Sequence, residues 1–312
     1  MVKGIFLGLL AYAFFSCCDA LVKSVGQRMP IFEMGFFITL FSLYAVPVVR
    51  PASERWRDIF RMHRPRLVIL RMAAGVVAGL LGVYTFTTLP LAEAYALIFL
   101  APLFVTLLSI PFLGERIGWR RGLAVVVGFA GVLLVVRPGF RELSLGHLAA
   151  VGVSLSGATT VIVLRALGPT EKRITLMGTV MLAALAANFV LMLFDFRPPT
   201  PADIFKCAAA GFLAGGGHVL IMAALRAAPA NRIAPGQYSQ IVWAMILGSV
   251  FFGEFPDSIA LAGIALVTLS GLFTFLREEQ TGGRWPPVWT IVWTRSPRNG
   301  GGEDQRTTRS RP

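Results

Sequence analysis

Charge is what this sequence has least of. Only 14% of its 312 residues are charged, and acids are the scarcer sign, with 16 Asp and Glu against 29 Lys and Arg. A soluble domain of this length normally shows about a quarter charged residues, so the surface of one cannot be drawn from this composition. Cysteine is nearly absent. Cys17, Cys18 and Cys207 form no CxxC pair and no ligand spacing, which leaves no basis for a disulfide framework or a metal site. No GxxxxGK[ST] motif is present either, so an ATP-driven pump has no phosphate loop to work with. Neither cofactor nor metal is expected.

Apolar residues fill the gap, at 55% of the chain and a mean hydropathy of +0.70. A helix crossing the ~30 Å hydrocarbon core needs roughly 20 such residues. Ten runs qualify: 3–25, 31–49, 67–90, 91–113, 118–137, 145–166, 174–194, 202–226, 229–252 and 258–276. A β-barrel would alternate over segments of about ten residues, and LAVVVGFAGVLLVV (123–136) does not alternate. The first run carries Lys3 ahead of it, as a signal peptide does, but FFSCCDALVK (14–23) offers no small-residue cleavage site. The expected fold class is an all-α polytopic membrane protein of ten transmembrane helices.

Loop charge sets its orientation, because Lys and Arg accumulate on the cytoplasmic side. Six arginines, Arg50, Arg55, Arg57, Arg61, Arg64 and Arg66, lie between the second and third runs alone. With the N-terminus inside, the inner loops hold 15 basic residues and the outer loops 6. Both termini are then cytoplasmic and the membrane is the cell inner membrane. The net charge of +13 is explained by this asymmetry and a basic tail, which suits an anionic leaflet rather than nucleic acid. Arg71, early in the third run, is expected to snorkel to the inner surface. After Leu276 the composition turns to Gly, Pro, Arg and Thr, so 278–312 reads as a disordered cytoplasmic tail. Within it WPPVWTIVW (285–293) reads as an interfacial anchor.

The phrase FLGERIG (112–118) returns as FFGEFPD (251–257), placing Gly114-Glu115 and Gly253-Glu254 139 residues apart. The same offset carries Pro90 onto Pro229 and Phe99 onto Tyr238. Two halves follow, 1–139 and 140–277, each of five helices. Five is odd, so the second half enters from the opposite side, which is the inverted repeat of secondary transporters. Charges agree: Arg116, Arg120 and Arg121 follow the first Gly-Glu, while Pro256 and Asp257 follow the second.

The run LPLAEAYALIFLAPLFVTLLSIPFLGERIGWRRGLAVVVGFAGVLLVVRPG (89–139), its counterpart APGQYSQIVWAMILGSVFFGEFPDSIALAGIALVTLSGL (234–272) and the opening DALVK (19–23) resemble the EamA-type drug/metabolite transporter superfamily. That resemblance spans about 1–277. It implies ten helices in two inverted repeats and ATP-independent movement of a small metabolite, often outward and often with a proton. Amino acids, vitamins and nucleotide-like compounds are among its substrates.

Candidate site residues follow from depth. His218 shares a helix face with Gly211, Gly215 and Met222 and lies near the midplane, where an ionisable group points to function. Phe99 and Tyr238 each stand nine residues past their matched proline, about 14 Å into the membrane from opposite faces. With Tyr84, Tyr95 and Trp243 they are the candidate substrate contacts. Asp19 and Lys23, four apart on one helix, with Glu33 and Glu93 nearby, are candidates for gating or proton coupling. Gly114, Glu115, Gly253 and Glu254 are read as turn signatures, the glutamates capping the helix that follows. Expected partners are a small-molecule substrate, a coupled proton and membrane lipids. Two rivals are weighed against this reading. An intramembrane serine enzyme would use GVSLSG (152–157) with His218, but neither Ser154 nor Ser156 sits in the required GxS context; a channel or structural subunit would lack counterflow.

Overall fold

A computed structural model describes residues 2–113, 119–137, 142–167 and 170–280. Gly114 and Glu115, and the tail from 281 with its tryptophan segment, lie outside the described residues. Among the described residues every regular element is helical: α1 (Val2–Val25), α2 (Ile31–Ser42), α3 (Ala45–Val49), α4 (Pro65–Thr88), α5 (Leu91–Ile98), α6 (Ala101–Leu113), α7 (Trp119–Val136), α8 (Leu145–Leu167), α9 (Arg173–Met192), α10 (Pro201–Ala227), α11 (Ala230–Ile233), α12 (Ser239–Phe252) and α13 (Ser258–Gln280), with short 3₁₀ turns between some of them. Six stretches are long and apolar enough to cross a membrane: Val2–Val25, Pro65–Thr88, Leu91–Phe112, Leu145–Leu167, Arg173–Met192 and Pro201–Ala227. Shorter apolar helices cover Ile31–Ser42, Gly122–Val136 and Ser258–Thr274. The chain is a multi-pass helical membrane protein.

Three of the expected continuous spans are interrupted, and proline accounts for each. Pro47 cannot donate to the Leu43 carbonyl, so the run 31–49 turns between α2 and α3, and the Val46 amide takes that carbonyl at 3.0 Å instead. Pro102 likewise cannot donate to Ile98 and crowds its carbonyl, so α5 stops there and α6 begins afresh. Pro235 and Gly236 tighten the start of the third run into the 3₁₀ turn Ala234–Tyr238 ahead of α12.

In the bundle α1 lies along α10 and also touches α4 and α12; α4 lies along α8 and touches α9; α2 packs on α9 and α10. Backbones approach closely where α7 crosses α13. A Cβ on Gly131 would stand 2.8 Å from the Gly263 carbonyl oxygen, and one on Gly263 2.6 Å from that of Gly131. The two backbones therefore meet directly, as small residues permit in membranes.

One group of loops is stitched by carboxylates. Glu54, before α4, accepts the Arg173 amide at 3.2 Å and the Ile174 amide at 2.8 Å, at the start of α9. Glu171, before α9, accepts the His63 and Arg64 amides at 2.8 and 2.7 Å, at the start of α4. Neither helix has a side-chain cap of its own, so each loop caps the other's helix. Asp58 joins them through Lys172 at 2.7 Å. Arg71 donates to the Leu176 carbonyl and pins α4 to α9.

The Lys172 hydrogen bond, with help from the Arg55 amide, lowers the Asp58 carboxyl below its ordinary value. Stability from this group is present above the unfolded-state pKa of about 4 and is lost as pH falls through the depressed folded value. Asp58→Asn is therefore expected to lower the unfolding midpoint of detergent-solubilised protein at neutral pH, with the difference from wild type closing under strong acid. Gly131→Ala meets a backbone atom, so overpacking of about 1–3 kcal/mol exceeds the helix-propensity gain of about 1 kcal/mol or less. Its midpoint should drop, whereas Gly79→Ala, with nothing within 4 Å of the added carbon, should match or exceed wild type.

Candidate substrate site

Two interrupted helices meet at their breaks. Phe99 is the residue at which α5 ends, and Tyr238 is the residue from which α12 starts. Their rings contact edge to face at 5.1 Å. Tyr95, one turn before Phe99, continues the cluster at 5.8 Å, and Phe86 of α4 adds a fourth ring 5.4 Å from Tyr95. Gly271 of α13 makes room at the side, since a Cβ there would fall on the Tyr238 hydroxyl. A chain released from its hydrogen-bond ladder at such depth is tolerated only where protein or a cavity surrounds it.

Polar groups converge on the same cluster. The Tyr95 hydroxyl donates to Asp19 Oδ2 from the adjoining face of α1. Gln240, in the first turn of α12, donates to the Tyr95 oxygen at 3.3 Å, and Ser16 Oγ stands 3.3 Å from it. The amide nitrogen has only hydrogens to offer, so the phenol's own hydrogen is directed at the carboxylate.

One turn along α1, Lys23 closes a second knot. Its ammonium lies 2.7 Å from Glu254 Oε1 and 2.6 Å from the Leu89 carbonyl, the residue that ends α4, and 5.4 Å from the Phe252 ring centroid. The other Glu254 oxygen accepts the Leu91 amide at 2.9 Å. Two readings change. The Asp19–Lys23 pair does not form, because Lys23 reaches across to α12 rather than back along α1. Glu254 caps α5, not the helix that follows it; Gly253 ends α12 in the left-handed conformation (φ 65°) and turns the glutamate inward.

The remaining candidates scatter. His218 is exposed on α10, its Nδ1 2.8 Å from the Ala214 carbonyl of its own helix and its ring edge-on to Phe15 at 5.2 Å; it bonds its own helix rather than across the bundle and lies apart from the four rings. Tyr84 is half-buried on α4 and Trp243 is exposed on α12, and neither ring joins the cluster. Glu33 is fully buried in the first turn of α2 and accepts the Arg197 amide at 3.2 Å. Glu93 Oε1 meets His147 Nε2 of α8 at 2.9 Å. Sequence reasoning passed over His147, Ser16 and Gln240. Gln240 was findable as an amide two residues past Tyr238; nothing local in the sequence marks His147 as the partner of a residue 54 positions away.

A multi-pass bundle whose helices break against each other around buried rings and a carboxylate is the architecture of a membrane transporter. The chain belongs to the EamA-like transporter family, whose profile matches residues 2–137 and 144–276. It is 27% identical over 282 residues to the S-adenosylmethionine uptake transporter of Rickettsia bellii (strain RML369-C), covering 87% of this chain and 93% of the relative. It is 28% identical over 272 residues to the pseudopaline exporter CntI of Pseudomonas aeruginosa (strain UCBPP-PA14), covering 86% and 94%. It is 28% identical over 252 residues to the riboflavin transporter of Rhizobium johnstonii, covering 80% and 81%. A crystal structure at 14% identity superposes with a TM-score of 0.55 over 90% of this chain and 99% of its own, a likeness of fold.

The knot between Lys23 and Glu254, with side chains 12% and 21% exposed, is shielded enough for removal of one partner to strand the other. Lys23→Met or Glu254→Gln alone should cost about 3 kcal/mol or more, and the double variant less than the sum of the two. Unfolding midpoints of the three variants in detergent measure this, and additive losses would show that the pair is not coupled.

Proposed function

We propose that the protein is a secondary-active carrier that moves a small metabolite across the cytoplasmic membrane by alternating access between two inverted five-helix halves, 1–139 and 140–277, with both termini cytoplasmic. The observation that carries this is the pair of breaks. Phe99 and Leu100 map onto Tyr238 and Ser239 under the same 139-residue offset that relates the Gly-Glu signatures, and both helices are interrupted there. The proline causes differ in position, so the shared location is a property of the architecture rather than of a copied motif.

Helix contacts support the same pairing. The neighbours α1–α10 correspond to α8–α4, α2–α10 to α9–α4, and α1–α12 to α8–α6, while α2–α9 and α7–α13 map onto themselves. The aromatic pair Phe99–Tyr238 then lies on the line between the halves, where rocking of one against the other would expose it alternately. Loop contacts agree with the charge-based sidedness: residues assigned inside meet one another (Glu54 with α9, Glu171 with α4), as do those assigned outside (Arg137 with Asp257, Lys23 with Glu254). Relatives named for S-adenosylmethionine, pseudopaline and riboflavin make a small polar metabolite the substrate class, and export is the direction we assign. Ionisable groups suited to proton coupling are the Glu93–His147 pair and the accessible His218. A serine nucleophile has little to act with: the Ser154 hydroxyl is buried and donates to the Val151 carbonyl at 2.8 Å.

Purified protein in liposomes should show counterflow, the labelled metabolite accumulating against its own gradient when unlabelled metabolite is trapped inside. Phe99→Ala and Tyr238→Ala should each lower that rate at least tenfold at equal insertion. Dissipative flux without counterflow would indicate a channel. Loss of pH-gradient dependence in Glu93→Gln or His218→Gln would identify the proton site, and unchanged dependence in both would remove them from coupling.

A further inference from the structure

Among the described residues most of the scarce carboxylates are spoken for. Glu33, Glu54, Glu171 and Glu254 accept backbone amides of distant segments, and Asp58 and Asp257 pair with Lys172 and Arg137. Asp19 differs in both place and partners. It is the only carboxylate among the described residues that lies more than a turn inside one of the membrane-crossing helices, and its described partner is a neutral one, the Tyr95 hydroxyl. The nearest cation along its helix, Lys23, is committed to Glu254 and the Leu89 carbonyl.

An anion at this depth without a cation is costly, and side chains so placed mark ligand or ion pathways. Asp19 is also reachable: it is half-buried, while Cys18 and Ala20 beside it are buried. Tyr95, which bonds it, packs against Phe86 and Phe99, and an aromatic surface attracts a desolvated cation. The Tyr95 hydroxyl, held by Gln240, fixes one carboxylate oxygen and leaves the other for a ligand.

We infer that Asp19 is the counter-ion for the transported molecule, and that the substrate class is an organic cation, a protonated amine or a sulfonium, seated against the Tyr95–Phe99–Tyr238 rings. This rests on the carrier reading above. Asp19 and Tyr95 thereby become substrate-contacting residues, whereas Lys23 and Glu254 close the bundle one turn away.

The test uses proteoliposomes loaded with a deproteinised bacterial small-molecule extract, with mass spectrometry of what leaves faster than from protein-free liposomes. Wild type should release compounds bearing a cationic nitrogen or sulfur. Asp19→Asn should slow their release at least tenfold, and Asp19→Glu should restore part of it, which excludes a merely misfolded variant. Selective release of anions or neutral compounds, or cation release unchanged in Asp19→Asn, would overturn the assignment while leaving a carrier. Release of nothing by wild type would overturn the carrier reading and this inference together.

Discussion

Helix starts inside or beside a membrane leave backbone amides that water cannot reach, and something must accept them. Here that acceptor is repeatedly a carboxylate from far away in sequence. Glu54 serves α9, Glu171 serves α4, Glu254 serves α5 and Glu33 serves the segment leading to α10. A charge-poor chain thus spends its acids on joining helices that are not neighbours in sequence. The amide at the start of α5, on Leu91, is met in this way by Glu254 rather than left unpaired.

The same knot links architecture to transport. Lys23 holds the end of α1, the end of α4 and the Gly253-Glu254 turn within one set of contacts. Asp19, one turn below, is held by Tyr95 on α5, the helix that Glu254 caps. Opening the bundle on that side would break the ion pair and shift α5, moving Tyr95 relative to Asp19. Under the proposed carrier reading, substrate contact and closure are therefore mechanically close, as alternating access between two halves would require.

Much of this was legible in the residues. Hydropathy gave a helical membrane protein, and the repeated Gly-Glu phrase gave the offset on which the proposed repeat rests. Phe99 and Tyr238 were picked by counting from matched prolines, and Tyr95 as a neighbouring aromatic. Pairings between helices were not legible. Lys23 lies four residues from Asp19 and 231 from Glu254, yet it binds the latter, since a side chain on a packed helix meets whatever the neighbouring helix presents. For the same reason His218 and Trp243, singled out by type and depth, fall away from the ring cluster, while Gln240 and His147 enter polar contacts that their local sequence does not announce.

By itself the sequence determined the class and the family, because hydrophobic length and motif spacing are properties of the chain read in one dimension. Only the tertiary structure decided which acids cap helices and which cation each acid meets. Those depend on the rotation of one helix against another, and in a bundle whose surfaces are apolar nearly all round, periodicity carries little record of that rotation.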